Sequence, residues 1–383
     1  MNFEFATAGQ IHFGNGVSAK VPELVGQFGT RVLLVINSIE RCGFFINKLR
    51  EKGLVVELFV VDKEPSLDLV VLATRIAKES KSQLIIGLGG GSTLDTGKAA
   101  AVLTTNPGNP VEYLDVLGTG KSLEHPSLPF IAIPTTAGTG SEVTRNAVIS
   151  VPDKRIKVSL RSPFMLPRIA VVDPALTYSL PKTITASTGM DALTQLIEPF
   201  VCNSPTPLTD ALCRDGIARA ARSLGEAYAN GLDPIAREDM ALASLFGGMA
   251  LANARLGAVH GMANLLGGMS HAPHGAICAR LLPLVMEKNI QALCSRQPDS
   301  HAIARYTEIA WLLTGNKQAT AEDGIAWVWN LCKELDIRPL AEYGLDLKDF
   351  PTLVEQSQKA NSMKGNPVRL TDTELLSILA EAA

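Results

Sequence analysis

The stretch "SQLIIGLGGGSTLDTGKAAAVLTT" (82–105) decides how the first half of the chain is read. Its opening run is short, apolar and rich in branched side chains, and it stops at glycine, which is the pattern of a buried strand. Residues 93–105 read as a helix. Gly89, Gly90, Gly91 and Ser92 therefore stand between a strand and a helix. Glycines let a backbone approach a phosphate closely, and a helix N-terminus offers free N–H groups at the positive end of its dipole. These four residues form a candidate phosphate site; a tight βα turn without a ligand is the other reading. "GLGGGS" is not the dinucleotide fingerprint, because it ends in Ser and follows a later strand than the first.

The same grammar extends in both directions. "RVLLVIN" (31–37), "VVELFVV" (55–61) and "LPFIAIPTT" (128–136) read as strands. "FINKLREKG" (45–53), closed by Gly53, and "LDLVVLATRIAKES" (67–80) read as helices. Alternation at this rhythm predicts βαβ units and a mostly parallel sheet. Beyond "YSLPKTITASTGMDAL" the strand signals nearly vanish. Helical patterns follow at 208–231 with a glycine cap, at 234–257 opened by Asp233 and Pro234, at 302–315 and at 322–336. The fold class is thus α/β: an N-terminal domain with a mostly parallel sheet (1–182) and a C-terminal all-helical domain (183–383).

Composition narrows the function. The 383 residues are 46% hydrophobic and 19% charged, as in a globular protein with real cores. A net charge of −3 without a basic stripe argues against a nucleic-acid partner. No apolar run reaches the roughly 18 residues of a membrane span, and the first residues lack a signal-peptide pattern. Six scattered cysteines without a CxxC pair read as reduced thiols in a cytoplasm.

Three further strings carry chemistry. "PTTAGTGSEVT" (134–144) follows a strand and gathers hydroxyls; Thr135, Thr136 and Thr139 could bond ribose or phosphate, or the loop is simply a polar turn. "GMDALTQLIEPFV" (189–201) reads as the start of an apolar helix, with Asp191 and Gln195 one turn apart on one face. Asp191 is a metal-ligand candidate or merely the cap of that helix. Three of the six histidines, His260, His271 and His274, bunch within 257–285 and raise the case for a metal or acid–base site.

Together, "GLGGGSTLDTGKA", "PTTAGTGSEVT", "GMDALTQLIEPFV" and "GAVHGMANLLGG…APHGAICARLLP", in this order and across nearly the whole chain, resemble the iron-containing (group III) alcohol dehydrogenase family. The resemblance implies a nucleotide-binding domain, a helical domain and an active site in the cleft between them. It implies NAD or NADP as cofactor, with the pyrophosphate on Gly89, Gly90, Gly91 and Ser92. Asp95 and Lys98 follow on the same helix, Asp95 being counted with the cofactor site. Thr135, Thr136 and Thr139 would line the nicotinamide side, and Lys157 would lie near its ribose.

The family binds a divalent metal, Fe2+ or Zn2+, through one Asp and three His. Asp191, His260 and His274 match; the first histidine is Gln195 here, either a weak fourth ligand or a hydrogen-bonding neighbour. Asn264 stands where family members commonly carry another histidine, which leaves His271, alongside His260, as a candidate proton-transfer group. Asn37 ends the strand where NAD-preferring relatives often place Asp. It lacks the charge that repels a 2′-phosphate, and Arg41 is near it in sequence.

The expected activity is an NAD(P)-dependent alcohol dehydrogenase or aldehyde reductase. It would transfer a hydride between nicotinamide and a small alcohol or aldehyde at a divalent metal. The alternatives are a metal-independent reductase of the maleylacetate reductase kind, a lyase of the dehydroquinate synthase kind, and a nucleotide-binding homologue without turnover. The expected assembly is a homodimer, with a small-molecule substrate and neither nucleic acid nor membrane as partner.

Overall fold

A computed structural model describes residues 2–115, 117–154, 156–270, 272–345 and 347–383. The chain divides into two compact units, one of residues 7–136 and 140–177, the other of 1–6, 137–139 and 178–383. The change of unit near residue 178 falls a few residues before the expected boundary at 182. The first six residues join the helical unit, where the Asn253 side chain bonds both the N–H and the C=O of Ala6.

The first unit is built on a six-stranded sheet of β1 (Ile11–Phe13), β2 (Arg31–Ile36), β3 (Val55–Val60), β4 (Leu84–Gly89), β5 (Phe130–Pro134) and β8 (Ile169–Val172). The order is β1-β8-β5-β4-β2-β3, and every neighbouring pair is parallel. Strands β6 (Asn146–Val151) and β7 (Ile156–Arg161) form a separate antiparallel hairpin. Helices α1 (Val21–Val25) and α2 (Ile39–Glu51) pack on the sheet face of Val32, Leu34, Ile36, Leu84, Ile86 and Leu88. Helices α3 (Leu67–Glu79) and α4 (Gly91–Thr105) cover the face of Leu33, Val35 and Ile85. Burial on both faces explains why these strands read as continuous apolar runs.

The parallel sheet holds as expected, with shifted ends. Helix α2 begins six residues before the predicted 45, because the Ser38 side chain accepts from Arg41 N–H and caps it. Helix α4 takes in Gly91 and Ser92, so the glycine turn is partly its first turn. Strands β1 and β8 went unread because they span only three and four residues; the hairpin strands β6 and β7 also went unread.

The second unit holds α5 (Lys182–Val201), α6 (Pro207–Ala229), α7 (Pro234–Asn253), α8 (Ala258–Met269), α9 (His274–Arg296), α10 (His301–Thr314), α11 (Ala321–Glu334), α12 (Phe350–Lys359) and α13 (Asp372–Ala382). A continuous apolar cluster joins them, including Met190, Leu193, Leu196, Val259, Ile277 and Leu281. Asp233 caps α7 by accepting from the N–H groups of Ile235 and Ala236, as its position before Pro234 predicts. Glycine 231 does not close α6: Asn230 already leaves the helix in extended geometry. Helix α5 starts at Lys182, not near Gly189. Asp191 is therefore in mid-helix, which removes the reading of Asp191 as a helix cap. Among the described residues, no single helix is long and apolar enough to cross a membrane.

Candidate metal centre

On α5, Asp191, Gln195 and Glu198 follow at spacings of four and three, which sets them on one helix face. All three are buried. His260 projects from the first turn of α8, His274 is the first residue of α9, and Cys278 lies one turn further along α9. The approach of α9 to α5 depends on Gly275. A Cβ there would collide with the Ser187 carbonyl oxygen and stand 3.3 Å from the Asp191 Cβ.

These elements bring four donor atoms together. Asp191 Oδ1 is 3.5 Å from His260 Nε2 and 3.8 Å from His274 Nε2. Cys278 Sγ lies 3.6 Å from His274 Nε2 and 4.0 Å from His260 Nε2. One donor atom from each residue falls within 4.8 Å of all the others. A tetrahedral ion with ligands at about 2.0–2.3 Å separates its donors by about 3.3–3.6 Å. The four separations above lie within about half an ångström of these edges, and the other two donor pairs lie within 4.8 Å.

Hydrogen bonding fixes which atoms face the cluster. Glu198 Oε2 is 2.6 Å from His260 Nδ1, which points Nε2 at Asp191. The other Glu198 oxygen accepts from Val259 N–H at 2.7 Å. An anion at the N-terminus of α8 is stabilised by the helix dipole. A carboxylate holding the far nitrogen of a histidine is the usual outer support of a metal ligand. Gln195 Nε2 donates to Asp191 Oδ2 at 2.8 Å and fixes that carboxylate in turn. Among the described residues, Asp191 Oδ1 and Gln195 Oε1 are buried without a hydrogen-bond partner. An unpaired buried carboxylate oxygen is costly, and a cation beside it removes that cost. The donors present fit a divalent metal.

Charge follows the geometry. Burial pushes the Asp191 carboxyl up, but the His260 and His274 rings and Gln195 outweigh it and hold it below the usual carboxylate range. Burial alone would lower His260. The Cys278 sulfur, Glu198 and Asp191 overcome this and raise it well above its ordinary value. His274 rises for similar reasons, with Cys278 the largest opposing influence.

In the first unit, the glycine turn sits where the sheet order reverses. Chain β2 continues outward to β3, and β4 continues the other way to β5. Ligands of open α/β sheets bind at the carboxyl ends of strands at such a switch point. Asn37 follows β2 there, beside the end of β4, since Ile36 pairs with Leu88. Helix α4 has no side-chain cap, which leaves its first turn open to an anion. Gly97 brings α4 close to the sheet, where a Cβ would meet the Phe130 ring at 2.6 Å. Thr135 N–H donates to Gly89 C=O at 3.0 Å, and the Thr136 side chain lies against Gly90.

Two expected cofactor residues are engaged inside the protein. Asp95 accepts from the Ser141 hydroxyl at 2.5 Å and from Val148 N–H at 2.8 Å. Lys157 pairs with Glu64 at 2.7 Å. The residues Ala137–Thr139, with Thr139 among them, belong to the helical unit, where Gly138 packs tightly on Thr188 of α5. Lys98 is fully buried and ties Ser141, Thr144 and Asn146 together. His271 lies outside the described residues.

Glu198 and Cys278 escaped the sequence reading. Both carried a signal, Glu198 as the third polar residue of the Asp191 face and Cys278 one turn after His274.

Comparison with known proteins covers nearly the whole chain. The model for iron-containing alcohol dehydrogenase matches residues 8–174, and that for the C-terminal region of the family matches 185–383. The chain is 36% identical over 377 residues to Alcohol dehydrogenase 4 of Saccharomyces cerevisiae, covering 97% of this chain and 96% of that protein. It is 35% identical over 344 residues to 1,3-propanediol dehydrogenase of Klebsiella pneumoniae, covering 88% and 86%. The crystal structure of a 1,3-propanediol oxidoreductase superposes with a TM-score of 0.92 at 32% identity, over 100% of both chains. Sulfoacetaldehyde reductase from Bifidobacterium kashiwanohense, solved with NAD+, gives 0.87 at 27% identity, over 99% of this chain and 98% of that one.

Proposed function

The chain belongs to the iron-containing alcohol dehydrogenase family, and on that premise we propose how its own residues serve the reaction. It is an alcohol oxidoreductase that moves a hydride between a nicotinamide cofactor and a small alcohol or aldehyde. In our reading, Asp191, His260 and His274 hold a divalent ion, Fe2+ or Zn2+. The observation that carries this is the buried, unpaired Asp191 Oδ1 among two histidine nitrogens and a cysteine sulfur. Such an ion supplies Lewis acidity toward the substrate oxygen, and the nicotinamide supplies or takes the hydride.

The remaining roles belong to the chain. Glu198 holds His260 by Nδ1, and Gln195 holds Asp191 by Oδ2, so the ligands are aligned in advance. With one nitrogen on Glu198 and the other facing the cluster, His260 serves as a ligand in this reading, not as a free proton shuttle. We place the cofactor pyrophosphate on Gly89, Gly90, Gly91 and Ser92, with Asn37 at the adenosine ribose and Thr135 and Thr136 beside it. Asn37 admits NAD and NADP alike, because it carries no charge to repel a 2′-phosphate. A cytoplasmic homodimer is the assembly we propose, on the six free cysteines and on the frequency of symmetric dimers.

The test is an alcohol and aldehyde panel with both cofactors, on protein before and after chelation. Chelated protein should lose turnover and regain it with Zn2+ or Fe2+. Turnover that survives complete metal removal would favour a metal-independent reductase, with Gln195 as its sequence mark.

A further inference from the structure

Building on the proposed metal site, we infer that Cys278 supplies the fourth metal ligand, as a thiolate, in a set where Gln195 stands in place of the third histidine. The two candidates differ in what they present to the cluster. Gln195 would ligate through its amide oxygen, which is buried without a hydrogen-bond partner among the described residues, while its amide nitrogen is held on Asp191 Oδ2 at 2.8 Å. Turning the amide over would set its oxygen against the carboxylate. Gln195 is thus bound to the task of holding Asp191. Cys278 Sγ is fully buried and lies within the same 4.8 Å cluster as the other three donors.

Its placement follows from local structure. Four residues make about one turn of α9, so Cys278 shares a face with His274. Its sulfur is 3.6 and 4.0 Å from the two histidine nitrogens, close to the roughly 3.6 Å edge between N and S donors on a tetrahedral ion. No other described partner claims this sulfur. Among the described residues, its hydrogen-bonding neighbours are these two rings. A coordinated thiol is deprotonated outright, and a thiolate is the softer donor that zinc accepts readily. The set becomes one carboxylate oxygen, two imidazole nitrogens and one sulfur. Binding there joins α5, α8 and α9.

X-ray absorption at the zinc edge on the full-length protein loaded with one equivalent of Zn2+ reads the ligand set directly. The wild type should show one sulfur at about 2.3 Å among nitrogen and oxygen neighbours. Cys278→Ser should lose that shell, and Gln195→Ala should keep it. A zinc-loaded wild type with only nitrogen and oxygen neighbours would overturn the inference while leaving the Asp191–His260–His274 site standing. So would a sulfur shell that persists in Cys278→Ser. Failure of the wild type to bind zinc or iron at all would sink both.

Discussion

Asp191 has two oxygens in different settings: Oδ2 accepts from Gln195, and Oδ1, without a hydrogen-bond partner among the described residues, faces two histidine nitrogens. His260 is divided in the same way between Glu198 and the cluster. The division makes Glu198 a positioning residue. Glu198→Gln keeps the shape but loses the charge that fixes the ring, and zinc affinity should fall about 10–100-fold in competition with a chromophoric chelator. Unchanged affinity would mean the carboxylate only caps α8. A pH dependence follows from the raised histidines. The metal-free His260 holds its proton well above its ordinary value of 6.5. Its contribution to stability is full below the unfolded value and is lost as pH rises through the folded one. Metal and proton compete for the same nitrogen. Zinc uptake near pH 7 should therefore release protons, and less so as pH rises further. Calorimetry in two buffers of different ionisation heat measures this; equal heats at pH 7 would contradict it.

Elements bring these residues together through close approaches. Gly275 is where α9 meets α5, and a side chain there has no room. Gly275→Ala should push His274 and Cys278 away from Asp191. The expected result is a zinc affinity at least about tenfold weaker, with a stability cost of about 1–3 kcal/mol. NADH binding should be unaffected. Gly90→Asp should do the reverse, because it sets a carboxylate at the open first turn of α4. Affinity for NADH and NADPH should fall roughly 100-fold, with metal retained. Fluorescence titration and metal analysis of the two variants check the pair; a loss of both ligands in either one would contradict it. The sequence made the strand–glycine–helix unit legible, because β4 and α4 differ sharply in pattern. It could not place Asp191 within its helix. The residues of α5 before Gly189, "KTITAST", are rich in threonine and carry no helical apolar stripe. Nor could it tell that the amide of Gln195 turns toward Asp191, which depends on tertiary packing.

At the scale of the whole molecule, the change from alternating to helical grammar near residue 182 marks two units with separate chemistries. The first offers an uncapped glycine turn at a sheet switch point. The second gathers an acid, two histidines and a cysteine from three helices. That change of pattern made the division readable, although the segment 1–6 and the loop tip 137–139 join the second unit by contacts no local pattern announces. The central claim is that α5, α8 and α9 hold an ion needed for alcohol oxidation. Metal analysis of protein purified without chelator tests it most directly, with wild type, Asp191→Ala and His260→Ala compared by alcohol turnover on the same samples. Close to one zinc or iron is expected per wild-type chain, with metal and turnover lost together in both variants. Wild-type protein that oxidises alcohol without bound metal, or variants that keep both, would contradict it.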